Sequence, residues 1–263
     1  MKVAVLSTAP GLGKTYLLAT LAGVYARSQR KSAAILSTGN IMDNIDIIDS
    51  GGVKDPSEEL YVFKSILDNT IDRNEELLNF GVRQGLENVY IYDTMHAKID
   101  WEEMKEFFID SMKKIPVDLT LVEVTADCPE DLKDLIMSNC DCFLMLTDLS
   151  QKGLKALKEF TETAPPAVTF RTGFVISKYD TRVTTEKKIS TFTTLDVKRM
   201  MYFPYNVAIA RLALNGILDQ AAYDLVSGDP ELIPIRMRIL ELMQFIFDTD
   251  KRKIIRGVDK WSK

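Results

Sequence analysis

The stretch Ser7-Thr8-Ala9-Pro10-Gly11-Leu12-Gly13-Lys14-Thr15 decides the fold, because it joins the first predicted strand to the first predicted helix. Main-chain amides that surround a polyphosphate need a tight turn, which Gly11 and Gly13 permit. Lys14 would neutralise the β- and γ-phosphates, and the Thr15 hydroxyl would ligate magnesium. The helix beginning near Lys14 points its positive end at the same anion. We predict a phosphate-binding loop here, with a glycine turn and an exposed lysine as the alternative.

The loop departs from the pattern G-x-x-x-x-G-K-[ST] at one position, where Thr8 replaces the first glycine. Pro10 has no N–H, so one donor to a phosphate is missing. The strand-to-helix context still supports the motif. The predicted nucleotide-contacting residues of the loop are Pro10, Gly11, Leu12, Gly13, Lys14, Thr15 and Tyr16.

Short apolar segments alternate with longer segments of helical period along the whole chain. Continuously apolar strands are typical of a parallel sheet covered on both faces. The pattern predicts an α/β fold with a doubly wound, mainly parallel sheet of about seven strands and helices on both faces. The predicted strands are Lys2–Ser7, Ala33–Ser37, Asn88–Tyr92, Asp118–Val124, Asp141–Thr147, Gly173–Ser177 and Met201–Phe203, and two of the predicted helices are Lys14–Gln29 and Glu231–Phe247.

Composition excludes several classes of protein. The 263 residues are 46% hydrophobic and 27% charged, which is typical of a globular protein and not of a disordered or collagen-like chain. No apolar run approaches the ~20 residues of a membrane-spanning helix, and the N-terminal apolar run is too short for a secretory signal. Three cysteines agree with a reducing compartment. We expect a cytoplasmic protein with one domain, residues 1–250, and a short tail, residues 251–263.

The tail is basic although the chain carries a net charge of −5. Residues 251–263 contain six basic side chains and one acidic side chain, and the pair Ile254-Ile255 gives them a small apolar face. Such a tail could touch DNA phosphates or an anionic membrane, which would place the protein peripherally on the nucleoid or the membrane. The alternative is a solvated chain end.

Four later segments, in this order, carry a resemblance that spans most of the chain. They are the strand Asp118–Val124 followed by Thr125-Ala126-Asp127-Cys128-Pro129, the strand Asp141–Thr147, Gly173-Phe174-Val175-Ile176-Ser177-Lys178-Tyr179-Asp180, and Phe203-Pro204-Tyr205-Asn206-Val207. With the loop before them, they resemble the ParA/MinD family of deviant Walker-A ATPases. The resemblance implies the P-loop NTPase fold, with ATP and Mg²⁺ as cofactors.

The resemblance also implies roles for single residues. Lys14 matches the phosphate lysine and Thr15 the magnesium hydroxyl. Glu123 stands where the family usually has an aspartate that helps to hold the water shell of magnesium, and a longer acid could reach through a water. The segment of Lys178 and the pair Pro204 and Tyr205 match segments that lie beside the adenine, where Tyr205 could stack on the base.

Two departures from the family concern hydrolysis. The lysine that reaches across the family's dimer to the partner's nucleotide is replaced by Ala9. The acid that orients the attacking water is missing directly after the second strand, and the nearest acids are Asp43 and Asp46. The predicted catalytic residues are Lys14, Asp43 and Glu123, with Asp43 as the candidate acid. The run Asp43–Asp49 is either a switch segment or a solvated loop. Because phosphoryl transfer depends on positioned charge, these changes should reduce turnover more than binding.

The remaining chemistry-bearing residues fit structural roles. Cys140 and Cys142, with Cys128, lack a fourth soft ligand for zinc and are predicted to be buried thiols. His96, the only histidine, has no nucleophile at a suggestive spacing. Trp101 and Trp261 are predicted packing residues.

Three functions remain at this point. The first is an ATP-binding switch that positions a cellular cargo through ATP-dependent dimerisation and slow hydrolysis, with an adaptor or cargo protein as partner. The second is a scaffold on the same fold that binds nucleotide weakly or not at all. The third, a metabolic phosphate-loop enzyme, lacks a candidate base with convincing spacing.

Overall fold

The fold is an eight-stranded sheet between two helical layers, described by a computed structural model. The strand order is β3-β4-β2-β5-β1-β6-β7-β8. The structure describes residues 1–39, 78, 82–83, 88–93, 101–180, 182–196, 199–204, 224–225 and 229–248. The strands are β1 (Lys2–Ser7), β2 (Ala33–Ser37), β3 (Val82–Arg83), β4 (Val89–Asp93), β5 (Leu119–Glu123), β6 (Cys142–Thr147), β7 (Thr172–Tyr179) and β8 (Met200–Pro204).

Seven of the strands are parallel, as the sequence predicts, and β3 pairs antiparallel with β4 at one edge. Strand β3 was not predicted, because two residues carry no periodic signal. Every residue of β2, β5 and β6 is buried. Helices on both faces of the sheet explain why these strands are continuously apolar or small.

The helices form one layer on each face. The described helices are α1 (Lys14–Gln29), α2 (Trp101–Lys114), α3 (Glu130–Asn139), α4 (Gln151–Thr163), α5 (Pro166–Phe170), α6 (Glu186–Thr193) and α7 (Ile233–Phe247), with a 3₁₀ turn at Pro230–Leu232. Buried residues of α1 and α7 share one hydrophobic cluster with the sheet. Those of α2, α3, α4 and α6 form a second cluster on the other face.

Helix α1 is the most deeply buried element outside the sheet. Every residue from Leu17 to Ala26 is buried, and the Tyr25 ring stacks on Phe247 of α7 with 5.0 Å between centroids. Each fully buried leucine of such a helix contributes about 2 kcal/mol to stability. Helix α1 ends at Gln29 and is followed by Arg30, whose backbone is left-handed with φ of 52°. The loop before α1 is therefore anchored to the centre of the core.

The predicted elements correspond closely to the observed ones. Strands β1 and β2 and helix α1 have the predicted bounds. Strand β7 is longer than predicted, and the start of the predicted helix Glu231–Phe247 forms part of the 3₁₀ turn because Pro234 sits in the first turn of α7. No helix in the described part of the chain is long and apolar enough to cross a membrane.

The sheet topology brings one set of strand ends together. Strand β1 lies between β5 and β6, and β2 lies on the far side of β5. Because these strands are parallel, the carboxyl ends of β1, β2 and β5 meet at the same edge of the sheet. In open α/β sheets, ligands bind at this edge, where the strand order reverses.

Candidate functional site

The predicted phosphate loop has the backbone that a phosphate-binding turn needs. Gly11 and Gly13 have φ values of 69° and 86°, a left-handed conformation that costs an L-residue about 1 kcal/mol or more. A Cβ atom at either position would meet no atom of the described chain within 4 Å. Backbone conformation, not crowding, therefore requires these glycines, and the space beside them is open.

Thr8, at the position of the missing glycine, has a structural role. Its N–H donates to the Leu146 carbonyl at 2.9 Å, and its Oγ1 donates to Thr147 Oγ1 at 3.0 Å. Both partners belong to β6, so Thr8 continues the pairing of β1 with β6 past the end of β1. The departure from the motif thus fastens the start of the loop to the neighbouring strand.

Lys14 places its ammonium inside the loop. Its Nζ donates to Ser7 Oγ at 2.8 Å, and the Ser7 hydroxyl in turn donates to the Ala9 carbonyl at 2.8 Å. Burial lowers the pKa of Lys14, while the nearby acids Glu123 and Asp127 act in the opposite direction. A partly desolvated ammonium with a neutral hydroxyl as its partner is suited to bind an anion.

Glu123 connects three elements at the end of the sheet. Thr15 Oγ1 donates to Glu123 Oε1 at 2.7 Å, and Ser37 Oγ donates to Glu123 Oε2 at 3.0 Å. Only 5% of Glu123 is exposed, and its register neighbours are Val5 of β1 and Ser37 of β2. One buried carboxylate therefore ties the first turn of α1 to the end of β2.

A second contact joins the ends of β2 and β5. Thr38 Oγ1 lies 2.9 Å from Thr125 Oγ1 and accepts from the Thr125 N–H at 2.9 Å, while the Thr38 N–H donates to the Glu123 carbonyl at 3.0 Å. The Gly39 N–H donates to Ser37 Oγ at 3.2 Å. A Cβ on Gly39 would lie 2.6 Å from Thr125 Cγ2, so this close packing requires glycine. The chain leaves β2 in an orientation set by these contacts.

Lys178 also contacts the loop, from the carboxyl end of β7. Its Nζ donates to the Gly11 carbonyl at 3.3 Å, and its φ of 54° is left-handed. This conformation is uncommon for a lysine and costs about 1 kcal/mol. The resemblance placed Lys178 in a segment beside the adenine; in the structure its ammonium lies at the loop itself.

A cavity of about 690 Å³ lies between the ends of β7 and β8 and helix α7. Tyr179 and Tyr202 contribute aromatic rings with 4.6 Å between their centroids, and Pro204 lies at the end of β8. Two ion pairs are also part of the lining, Arg182 with Asp180 and Arg238 with Glu241. The predicted adenine-side residue Pro204 thus borders a cavity with an aromatic wall.

The other predicted loop residues divide between solvent and core. Pro10 is exposed, Leu12 is 6% exposed within the α1 and α7 cluster, and the Tyr16 side chain packs against the same cluster. Burial raises the pKa of the Tyr16 hydroxyl. Leu12 and Tyr16 can therefore offer a nucleotide their backbone groups, while their side chains hold the loop on the core.

Some predicted residues lie outside the part of the chain that the structure describes. They are the candidate catalytic acid Asp43 with Asp46 and Asp49, the predicted stacking residue Tyr205, His96, Trp261 and the basic tail, residues 251–263. The predicted burial of Cys128, Cys140 and Cys142 is confirmed, and none of the three is in a disulfide bond. Burial raises the pKa of Cys140, so its neutral form is favoured.

The sequence analysis missed the two serines that organise the site, Ser7 and Ser37. Each is the last residue of a correctly predicted strand, which is where ligand-binding residues gather in a parallel sheet. Ser37 contacts Glu123 because β2 lies beside β5. That neighbourhood is a property of strand order, which the spacing of residues along the chain does not show.

The geometry fits a nucleotide with magnesium. The open space beside Gly11 and Gly13 and the desolvated Lys14 ammonium suit a polyphosphate. The Thr15 hydroxyl beside the Glu123 carboxylate offers the oxygen ligands that magnesium prefers. Among the described residues there is no group of three or more histidine, cysteine or acidic side chains that would form a metal site made of protein ligands alone.

Comparisons with known proteins agree with the geometry. No protein-family model and no curated protein sequence matches the chain. Solved structures do match. A ParA family ATPase from Chlorobium tepidum TLS has a TM-score of 0.65 and 13% identity over 92% of this chain and 97% of its own.

Two further matches are MinD structures. A chain of the MinC:MinD cell division complex from Aquifex aeolicus has a TM-score of 0.64 and 12% identity, covering 97% of this chain and 96% of its own. The septum site-determining protein MinD from Pyrococcus horikoshii OT3, complexed with Mg-ADP, has a TM-score of 0.63 and 14% identity, covering 95% and 96%. At such low identity the likeness is one of fold. The protein has the fold of the ParA/MinD P-loop ATPases.

Proposed function

We propose that this protein is an ATP-binding switch of the ParA/MinD type, in which Mg²⁺-ATP on residues 10–16 changes the segment that follows β2. The observation that carries the proposal is the chain of contacts from Thr15 through Glu123 to Ser37, at 2.7 and 3.0 Å. Thr15 follows the phosphate lysine directly, and Ser37 ends the strand that leads into residues 40–77.

Each residue of this chain of contacts has a defined task. Lys14 holds the β- and γ-phosphates, because its ammonium is partly desolvated and, among the described residues, donates to the neutral Ser7 hydroxyl. Thr15 would give its hydroxyl oxygen to the magnesium ion, and Glu123 would hold waters bound to that ion. Magnesium, when bound, would neutralise phosphate charge.

Glu123 would pass the change at Thr15 to the end of β2. When the Thr15 hydroxyl turns away from Glu123, the carboxylate loses a hydrogen bond and its other oxygen still holds Ser37. Ser37 Oγ also accepts from the Gly39 N–H, two residues further along the chain. Order or disorder of a segment that follows such a contact is a common form of nucleotide switching.

The purine side of the proposal uses Pro204 and Tyr205, with the cavity beside Tyr179 and Tyr202 as the space for a base. Aromatic rings bind purines by stacking with little discrimination between them. In the same proposal Asp43 acts in hydrolysis, two chains associate when ATP is bound, and an adaptor or cargo protein recognises the pair. Residues 1–250 form one domain, and the basic tail gives a weak contact with DNA or an anionic membrane.

Titration of a fluorescent ATP analogue with Mg²⁺ onto the wild type and Lys14→Ala tests the proposal. We expect Lys14→Ala to weaken binding by about 100-fold, since it removes charge-assisted bonds to phosphate. Lys113→Ala is a matched control. Lys113 is exposed at the end of α2, shortly before the amino end of β5, and therefore lies away from the carboxyl ends of the strands. Equal affinity in the wild type and Lys14→Ala would reject the role of the loop.

The scaffold remains a second candidate, favoured by a specific observation at Ala9. This residue packs against the α1 and α7 cluster and has no cationic side chain for a neighbouring subunit. A steady-state phosphate-release assay, with and without DNA or anionic vesicles, distinguishes the two candidates. Turnover that is present in the wild type and absent in Lys14→Ala would reject the scaffold; binding without turnover would support it.

A further inference from the structure

The first half of the loop has few groups that can bind phosphate. Ala9 has no polar side-chain atom, Pro10 has no N–H, and the Thr8 N–H and hydroxyl are both used in contacts with β6. Lys14 supplies one positive charge at the other end of the loop. A triphosphate carries several negative charges even with magnesium, so one lysine leaves much of that charge without a protein partner.

Lys178 places a second ammonium group next to the first half of the loop, which has few groups that can bind phosphate. Its Nζ lies 3.3 Å from the carbonyl of Gly11, the residue after Pro10, and Lys178 is exposed. Strand β7 is separated from β1 only by β6, so Lys178 belongs to the same carboxyl edge as the loop. The ammonium therefore lies next to the turn where phosphates would bind.

The contact with Gly11 is too weak to explain the left-handed backbone of Lys178. A 3.3 Å bond between an exposed ammonium and a neutral carbonyl is long and weak. The backbone of Lys178 nevertheless has a φ of 54°, within an irregularity in the pairing of β7 with β8 that extends from Ile176 to Tyr179. The buried Ser177 hydroxyl just before it has no hydrogen-bond partner among the described residues. Strained backbone and unsatisfied polar atoms concentrate where proteins bind ligands.

We propose that Lys178 is a phosphate-binding residue that acts within one chain and completes the charge of the loop. The inference rests on the proposed ATP-binding function and deepens it. On binding, the Lys178 ammonium exchanges the Gly11 carbonyl for a phosphate oxygen, which is a stronger, charge-assisted acceptor. The resemblance implied a partner's lysine at the nucleotide and an adenine-side position for the Lys178 segment; this proposal differs from both.

Affinities for ATP, ADP and AMP, each with Mg²⁺, test the proposal in the wild type, Lys178→Gln and Lys178→Arg. Gln keeps most of the stem without the charge, and Arg keeps the charge. We expect Lys178→Gln to weaken ATP binding about tenfold and AMP binding less than twofold, with Lys178→Arg close to the wild type. Lys113→Gln removes the same charge near the amino ends of the strands, away from the loop, and should leave all three affinities unchanged.

The within-chain part has its own measurement. The loss of ATP affinity in Lys178→Gln should be about the same at every protein concentration over a range of about 50-fold, because one chain holds both lysines and ATP-dependent association acts on the wild type and the variant alike. A loss that is present only at concentrations where two chains associate would overturn this part. Circular dichroism of each variant confirms that it is folded.

The outcomes separate this proposal from the proposed function. If Lys178→Gln weakens the binding of ATP, ADP and AMP equally, or of none of them, while Lys14→Ala weakens ATP binding about 100-fold, Lys178 is not a phosphate ligand and the ATP-binding function stands. If the wild type binds no ATP, the proposed function fails and this inference fails with it.

Discussion

The two halves of the candidate site differ in how completely they are built. On the proposed magnesium side, the half-buried Thr15 and the buried Glu123 and Ser37 form a hydrogen-bonded unit that links α1, β5 and β2. On the proposed purine side, the cavity beside Tyr179 and Tyr202 is open and bordered by partly exposed ion pairs. Buried polar networks hold one geometry, whereas open surfaces adapt to their ligand. We therefore expect changes on the magnesium side to cost more than changes on the purine side.

The largest expected difference concerns Glu123→Gln. Mg²⁺ should tighten ATP binding to the wild type, and this gain should fall about tenfold in the variant because the neutral amide is a poorer partner for magnesium-bound water. Titration of ATP with Mg²⁺ and with a chelator measures the gain. Glu159→Gln, on an exposed position of α4, is the control. An unchanged gain would show that Glu123 is only a structural link.

A smaller effect is expected from Tyr179→Ala on the purine side. Loss of the ring that faces Tyr202 at 4.6 Å should weaken ATP and AMP equally, by about fivefold. Tyr179→Phe keeps the ring and should bind as the wild type does. Competition titrations with the two nucleotides give the ratio. If the loss is confined to ATP, or if nothing changes, the base lies away from this cavity.

The smallest expected effect is a pH dependence that belongs to Lys14. Burial lowers its pKa from the ordinary value of 10.5. The charged form binds phosphate, so ATP affinity should fall as the pH rises toward this lowered pKa, before an exposed lysine would lose its proton. Lys14→Arg stays charged throughout and should show no such fall. Titrations between pH 7 and about pH 10 provide the comparison, and identical profiles would contradict it.

The sequence predicts the features that depend on local patterns and misses those that depend on strand order. The bounds of β1, α1 and β2 follow from apolar runs that glycine and polar residues interrupt, which are local signals. The link between Ser37 and Glu123 needs β2 to lie beside β5, across 86 residues of chain. No local pattern encodes that order, although both strand ends were predicted within one residue.

Lys178 illustrates the other limit of sequence analysis. Its contact with Gly11 depends on a left-handed backbone at a lysine and on an irregular pairing of β7 with β8. Glycine and asparagine signal such a conformation in a sequence, but lysine does not. The family resemblance implied that this segment lies beside the adenine, which stays a prediction; the structure shows the Lys178 ammonium 3.3 Å from the Gly11 carbonyl of the loop.

A structure determined with Mg²⁺ and a non-hydrolysable ATP analogue is the most direct measurement. The account predicts phosphates against the backbone amides of residues 11–15, with Thr15 Oγ1 turned from Glu123 to the metal. A loop without nucleotide at saturating analogue, and with the 2.7 Å bond between Thr15 and Glu123 intact, would contradict it.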